Sequence, residues 1–476
     1  MRKTYRLIGA LGLGLWATAA AAQDAGEVIT KQYSDGSVYE GTFVNGQPDG
    51  TGTYRLTNGY EYTGDWKAGQ IIGQGVAHYP NGSVYEGAFV DSKPQGKGKI
   101  AFAGGGSYEG DWLAGAITGT GRQVYTNGAV YEGQFLDGQP QGRGVLTEVG
   151  GYRYDGDWVA GEKQGAGKIT YADGATYDGD LVKGAREGRG TLTLPDGLTY
   201  VGAWSGDQIN GQGKMVMPNG DVYEGGFVEG IRQGEGHVTY AGGDSYTGGF
   251  KDDLRDGVGE FVAKDGSRYK GDWVAGKMEG VGVMTYADGS VYEGGFTADQ
   301  PQGRGKITYA DGSGYEGDWQ AGVITGQGRA TYANGSVYEG ALVAAVPQGR
   351  GVMIYADGFR YDGTWVDGVR EGSGTATWSD GTVYKGDFVD GLRQGFGTLT
   401  QVDGFRYSGQ WQAGEMTGLG VATYATGDTY SGRFVKGKRE GIGKLTYKGG
   451  EVSSGIWMAG VLTAPPPAPA PAPAQP

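Results

Sequence analysis

Residues 286–296 read Tyr286-Ala287-Asp288-Gly289-Ser290-Val291-Tyr292-Glu293-Gly294-Gly295-Phe296. The phrase returns 23 residues later as Tyr309 to Trp319, and again as Tyr332 to Leu342. With Tyr292 as position 0 of a frame, the matching tyrosine recurs at eighteen places from Tyr39 to Tyr430, always 23 residues apart. A nineteenth frame carries Ser453 in the tyrosine place. Glycine stands at −3, +2, +11 and +13 of all eighteen frames, which places 72 of the 102 glycines and makes them part of the repeat. Loops tolerate changes of length, so a period without insertion or deletion predicts units that stack on one another.

Twenty-three residues are too few for a helix-turn-helix unit, and Tyr-Glu-Gly-x-Trp/Phe alternates with period two. Two strands of about six to eight residues and two turns use the frame up. Asp or Asn precedes the −3 glycine in fourteen of nineteen frames, as in Asn81-Gly82 and Asp288-Gly289, and such pairs are strong hairpin signals. Prolines before the tail fall at two places only: +9, as in Pro94 and Pro301, and −5, as in Pro80 and Pro195. Proline is excluded from central strands, so both places are expected to be turns. The fold expected is therefore all-β: an elongated, twisted, single antiparallel sheet, or hairpin solenoid, of 18–19 stacked hairpins.

Positions 0, +2 and +4 share a strand face because side chains alternate. Tyr85, Gly87, Gly96 and Gly98, and likewise Tyr292, Gly294, Gly303 and Gly305, are read as structural. The +2 glycine leaves a gap between two rings, which an aromatic of the neighbouring hairpin is expected to fill. Position +4 alternates Phe or Leu with Trp, so the larger unit is a pair of frames, with a phase break where Phe250 follows Phe227. Phe and Leu frames carry Pro or Arg at +9, whereas Trp frames mostly carry Ile, Met, Lys or Arg there. A second tyrosine ladder runs at −6, including Tyr125, Tyr171 and Tyr286. Whether it shares the first ladder's face depends on a two- or three-residue turn.

These residues resemble the MORN (membrane occupation and recognition nexus) repeat family over residues 31 to 460. The resemblance implies stacked hairpins used for protein contacts and scaffolding, with a lipid-headgroup role as a second possibility. The beginning of the chain sets it apart as an exported, bacterial-type member. Arg2, Lys3 and Arg6 precede an apolar run that ends at Ala20-Ala21-Ala22, the pattern of a cleaved secretory signal over residues 1–22. Residues 23–30 form a lead-in, and 461–476 a Pro/Ala-rich tail without a core.

Cleavage leaves 37 basic and 54 acidic residues, a net charge of −17, which argues against nucleic acid as a partner. With no cysteine, and with His78 and His237 nearly seven frames apart, no thiolate or His-pair metal site is expected. Glu or Asp at +1 recurs in eleven frames, so none is a unique general acid. The sequence thus points to no catalytic residue, no metal and no cofactor. The function expected is a non-enzymatic envelope scaffold that binds other envelope proteins. The alternative is a glycan- or phospholipid-headgroup-binding module. Candidate binding residues are Trp66, Trp112, Trp158 and Trp319, whose rings can stack on sugars, and Arg143, Arg189, Arg304 and Arg350 on a basic turn rim.

Overall fold

A computed structural model describes residues 26–465; the signal segment and the tail from residue 466 lie outside the described residues. The described chain has 39 strands and no helix. It falls into two compact units, divided after Ile209 within the strand Gln208–Val216. The first opens with Ile29–Gln32 against Val38–Val44 and proceeds by antiparallel hairpins to Thr199–Ser205. The second proceeds in the same way through Val222–Val228 and closes with Val461–Ala464 against Val452–Met458. Strand pairing therefore begins at Ile29 and ends at Ala464, slightly outside the 31–460 limits expected. The closing strand pairs because Trp457 and Met458 continue the frame and present an open ladder to Leu462 and Val461.

Each frame has a seven-residue and a nine-residue strand, here Val291–Thr297 and Gln300–Thr308. The turn before the first strand is a three-residue bulged loop. The Gly289 N–H donates to the Tyr286 carbonyl (2.9 Å), and the Tyr286 N–H donates to the Ser290 carbonyl (2.8 Å). Only Gly289 has a left-handed backbone, with φ +87°. Asp288 serves instead as a cap, its carboxylate accepting the Ser290 N–H at 2.8 Å. Proline at −5 fits this turn, since Pro80 occupies its second position.

The other turn is a two-residue loop in which both residues, Ala298 and Asp299, have positive φ. Proline at +9 lies beyond that turn, contrary to expectation: Pro301 is the second residue of its strand and pairs with Phe296. The sheet accepts it because the +9 position is bonded toward the next hairpin by its carbonyl. The Gly322 N–H donates to the Pro301 carbonyl at 2.9 Å. Where +9 keeps its N–H, a +7 side chain of the next frame can receive it, as Asp299 does from Met278 at 2.8 Å. All five +9 prolines, Pro48, Pro94, Pro140, Pro301 and Pro347, face a +7 glycine instead.

Between +2 and +4 the register slips: Gly294 faces Gly305, Phe296 faces Pro301, and Gly295 stands against the three residues between. This bulge gives the +3 side chain its task. Asp65 accepts the Gln74 N–H (2.8 Å), and Asp318 accepts that of Gln327 (2.8 Å). Position +10 caps the neighbouring hairpin. Gln302 accepts the N–H of Ala321 (2.8 Å), whose φ of +48° opens the next two-residue turn.

The core is one face of each unit's sheet. Tyr292 is fully buried, and its ring meets Phe296 of its own frame and Trp319 of the next edge-on, both at 5.1 Å. The glycine gap is filled differently from the expectation. A Cβ on Gly294 or Gly305 would run into Tyr292 itself, so each tyrosine lies over its own frame's paired glycines. The hydroxyl, carried past Gly294, donates to the Gly295 carbonyl at 2.9 Å. The next frame's indole is tied down too, with Trp319 Nε1 donating to the Gly305 carbonyl at 3.2 Å.

The two tyrosine ladders share this face. The Arg439 guanidinium lies 4.2 Å from the Trp457 ring, 5.7 Å from Tyr430 and 5.8 Å from Tyr424. This contact also accounts for the +9 rule. Every Phe or Leu frame but that of Phe227 precedes a Trp frame, and its Pro or Arg covers that indole; Arg186 stacks over Trp204 at 4.2 Å, and at the phase break Arg232 lies over Phe250 at 5.3 Å. There Tyr223 meets Phe250 at 5.1 Å and Gly236 faces Gly248, so strand pairing continues in register.

Candidate functional site

A repeat that uses most of its polar residues for its own assembly leaves few rows for function. Positions −4, +3 and +10 cap turns or bulges, 0 and +4 are core, and +9 covers the neighbouring ring. The remaining rows lie on the outward face: +1, +5, +8, +12 and +14.

The four candidate indoles are not among them. Trp66, Trp112 and Trp319 are 7 % exposed and Trp158 5 %, and each ring nitrogen donates to a glycine carbonyl at 3.1–3.2 Å. A sugar cannot stack on a ring whose faces are already packed, so these residues are corrected from binding to core. Nine tryptophans occupy +4 in this way. Acrylamide should therefore quench the native protein's fluorescence weakly, rising several-fold in denaturant. Native quenching near that of free tryptophan would contradict this burial.

The candidate arginines do face outward, but not as a basic rim. Arg304 lies 3.5 Å from Asp318, Arg350 3.7 Å from Asp362, and Arg143 within 3.7 Å of both Asp155 and Asp157. Arg189 is exposed opposite Ala203. The strand register alternates +12 and +14 bases with +1 and +3 acids, so the sign changes along the row. Such exposed pairs contribute little stability. A groove of about 710 Å³ in the second unit has this mixed lining, with Glu293, Lys306, Glu316, Arg329 and Glu339 around Gly305 and Gly317. The first unit has a similar one, with Glu86, Lys97, Lys99, Glu109 and Arg122. His237 is held in the sheet by Thr247 (2.8 Å) and Thr239 (3.1 Å).

In the second unit the outward face turns apolar. Phe396, Leu419 and Ile442 occupy +12 of three successive frames and are 63 %, 67 % and 63 % exposed. A groove of about 820 Å³ lies between the first two, floored by Gly395 and Gly418 and flanked by Gln410 and Arg433. Beside it, the +5 and +8 rows pair valines and leucines at two turns, Val366 with Val369 and Val389 with Leu392, all half-exposed, while the following turns pair Gln412 with Glu415 and Val435 with Lys438. Position +8 in the first unit is mostly Gln, Lys, Glu or Ala. Sequence reading missed this patch because attention went to what repeats; the signal available was the change of residue class at +8 and +12 within a constant frame.

The MORN repeat profile matches this chain eighteen times, from residues 39–59 and 62–84 through 430–452. A curated relative, alsin from Rattus norvegicus, is 47% identical over 53 residues, which is 10% of this chain and 3% of alsin. The chain thus matches only a small fraction of that relative's length. Among solved structures, the TCP10c domain of Drosophila melanogaster Sas-4 is 17% identical, with 32% of this chain and 94% of that one covered and a TM-score of 0.20. The TCP10 domain of Danio rerio CPAP is 13% identical, with 56% and 99% covered and a TM-score of 0.15.

Proposed function

This chain belongs to the MORN repeat family, and from that premise we propose that it is a non-enzymatic scaffold of the cell envelope, exported by its leader, that binds protein partners. The observation that carries the reading is the run Phe396, Leu419 and Ile442 with its rim of half-exposed valines and leucines. Exposed apolar patches of several hundred Å² mark interaction surfaces. These three side chains lie one hairpin apart, about 9.6 Å at two strand spacings. A polyproline-type partner segment has three residues per turn and rises about 3.1 Å per residue, so one that crosses the strands matches the run with an apolar residue at every third position. Gln410, whose Oε1 already accepts the Leu419 N–H at 2.9 Å, and Arg433 stand between the apolar positions and can donate to its backbone carbonyls. The basic leader supports export, and the recurrence of the +1 carboxylates in eleven frames supports a non-catalytic role for them.

A photo-crosslinking residue at position 419 in living cells, compared with one at position 97 of the first unit, tests the reading. A discrete protein adduct from the envelope fraction at 419 alone, lost when Phe396 and Ile442 are changed to glutamate, is the expected outcome. Both substitutions lie at exposed side chains and should leave stability within about 0.5 kcal/mol. Absence of any protein adduct at 419, or equal adducts at both positions, would sink the proposal.

A further inference from the structure

We propose that the frame of Tyr154 holds a binding cleft for a small aromatic ring carrying an anionic group. The inference starts from a place where the repeat breaks its own pattern three times. Position −6, a tyrosine in most frames, is Glu148; −2, usually a small residue, is Tyr152; and +9 is Lys163. The first unit brings the three together. Lys163 Nζ bonds the Tyr152 hydroxyl at 2.5 Å and lies 4.4 Å from that ring's centre and 5.4 Å from Tyr154's.

The missing −6 ring leaves an opening. Where the ladder is intact, successive −6 rings cover the small −2 residue between them, as at Tyr286 and Tyr309, where Ser290 is buried. Here Tyr125 has no ring on its other side, and a cleft of about 440 Å³ is floored by Ala129, Leu146 and Pro140 and bounded by Tyr125, Trp158 and Lys163. Its floor and near wall are those that hold a phenol elsewhere in the ladder, which selects a planar aromatic ring.

The ammonium selects the charge. Lys163 is half-buried, and Tyr152 takes one of its three N–H donors, while no carboxylate lies within 4 Å. A half-buried cation with no carboxylate in direct contact favours an anionic ligand. Burial holds the Lys163 ammonium below the ordinary lysine value, with Glu148 acting in the opposite sense. The charged and titratable groups around it are Tyr152, Tyr154, Glu148, Glu162 and Lys183, with Tyr171 beyond Tyr152. Glu148 and Glu162 are exposed at the mouth, and Lys183 offers a second cation there. This site is independent of the apolar run in the second unit, so either can fail alone.

The test is calorimetric titration of the full chain with 4-hydroxyphenylacetate, with neutral tyrosol and non-aromatic glucuronate as the comparison ligands. The acid should bind with a Kd of about 1 mM or tighter, and the other two at least about tenfold more weakly. Lys163→Met should abolish binding. Glu148→Tyr restores the ladder, as the neighbouring Tyr355 and Phe359 show is compatible with an aromatic at −2. It should abolish binding while leaving the melting temperature equal or higher. Affinity should also fall with rising pH at a lower pH than an ordinary lysine would give, because the ammonium is lost early. Equal binding of all three ligands, no binding of the acid, or full binding by Glu148→Tyr each overturns the proposal.

Discussion

Replacing Gly305 with alanine will destabilise the second unit by roughly 3 kcal/mol, near the upper end for overpacked sites. The added methyl would coincide with the hydroxyl and ring edge of Tyr292. That ring cannot withdraw, because Phe296 and Trp319 each pack edge-on against it at 5.1 Å. Backbone strain has no part in this, since Gly305 is not among the positive-φ glycines. Gly303 is the control: its φ is +75° but a Cβ there meets nothing within 4 Å. Gly303→Ala should therefore cost only about 1–2 kcal/mol, the ordinary left-handed penalty. Chemical denaturation of the two variants and of Tyr292→Ala/Gly305→Ala checks the assignment. If the ring is the obstacle, the double variant will be less destabilised than the two single changes added together. Equal effects at 303 and 305 would contradict the packing described here.

Raising the pH from 10 to 12 will unfold the chain cooperatively. Burial raises the phenol at position 0 in all eighteen frames. Tyr292 is pushed up to about 12 from an ordinary value of 10.0, and Tyr85 and Tyr384 likewise. A phenol whose folded value is raised binds its proton more tightly in the native state. Its contribution is therefore complete below the unfolded value, near 10.0, and is lost as the pH climbs toward the folded value, near 12. Eighteen such groups act in the same direction. Tyrosinate absorbance and far-ultraviolet circular dichroism should change together there, with the ladder phenols ionising only as strand signal is lost. Tyrosinate formation complete at pH 10 with the sheet intact would be inconsistent with buried ladder phenols.

Much of the local fold is legible in the residues. A rigid period of 23, Asp-Gly or Asn-Gly before each strand, and proline at −5 lead to stacked hairpins, and the structure has them. The +9 prolines misled because proline is ordinarily excluded from paired strands. Here Pro301 survives by using only its carbonyl toward the next hairpin, an arrangement visible only when Gly322 is seen opposite it. The companion rule at +9 was legible as a pattern but not as a cause. Its meaning lies 18 residues onward, in the indole that Arg186 or Arg439 covers.

The candidate sites were less legible. Asp318 at +3 and Gln302 at +10 carry no signal of their own in the sequence, yet they cap backbone N–H groups that left-handed turns and bulges would leave unpaired. The tryptophans read equally well as ligands' platforms or as core, because an aromatic at +4 alternates identically in both cases. The apolar run and the Lys163 cleft emerge only after the structural roles of the repeat are removed from view.

By itself, then, the sequence determined the hairpin, its length, its turns and its eighteen-fold phase, because backbone preferences of Gly, Pro and Asp-Gly act within a few residues. Only the tertiary structure decided which face each side chain takes. A strand's alternation reverses with a shift of one residue, but the bulge between +2 and +4 shifts the pairing by two, from Gly294 facing Gly305 to Phe296 facing Pro301, so both strands keep their faces. The pairing of neighbouring strands on that register lays Tyr292 over its own Gly294 and Gly305, buries Trp319 against it, and leaves Phe396, Leu419 and Ile442 on the side toward solvent.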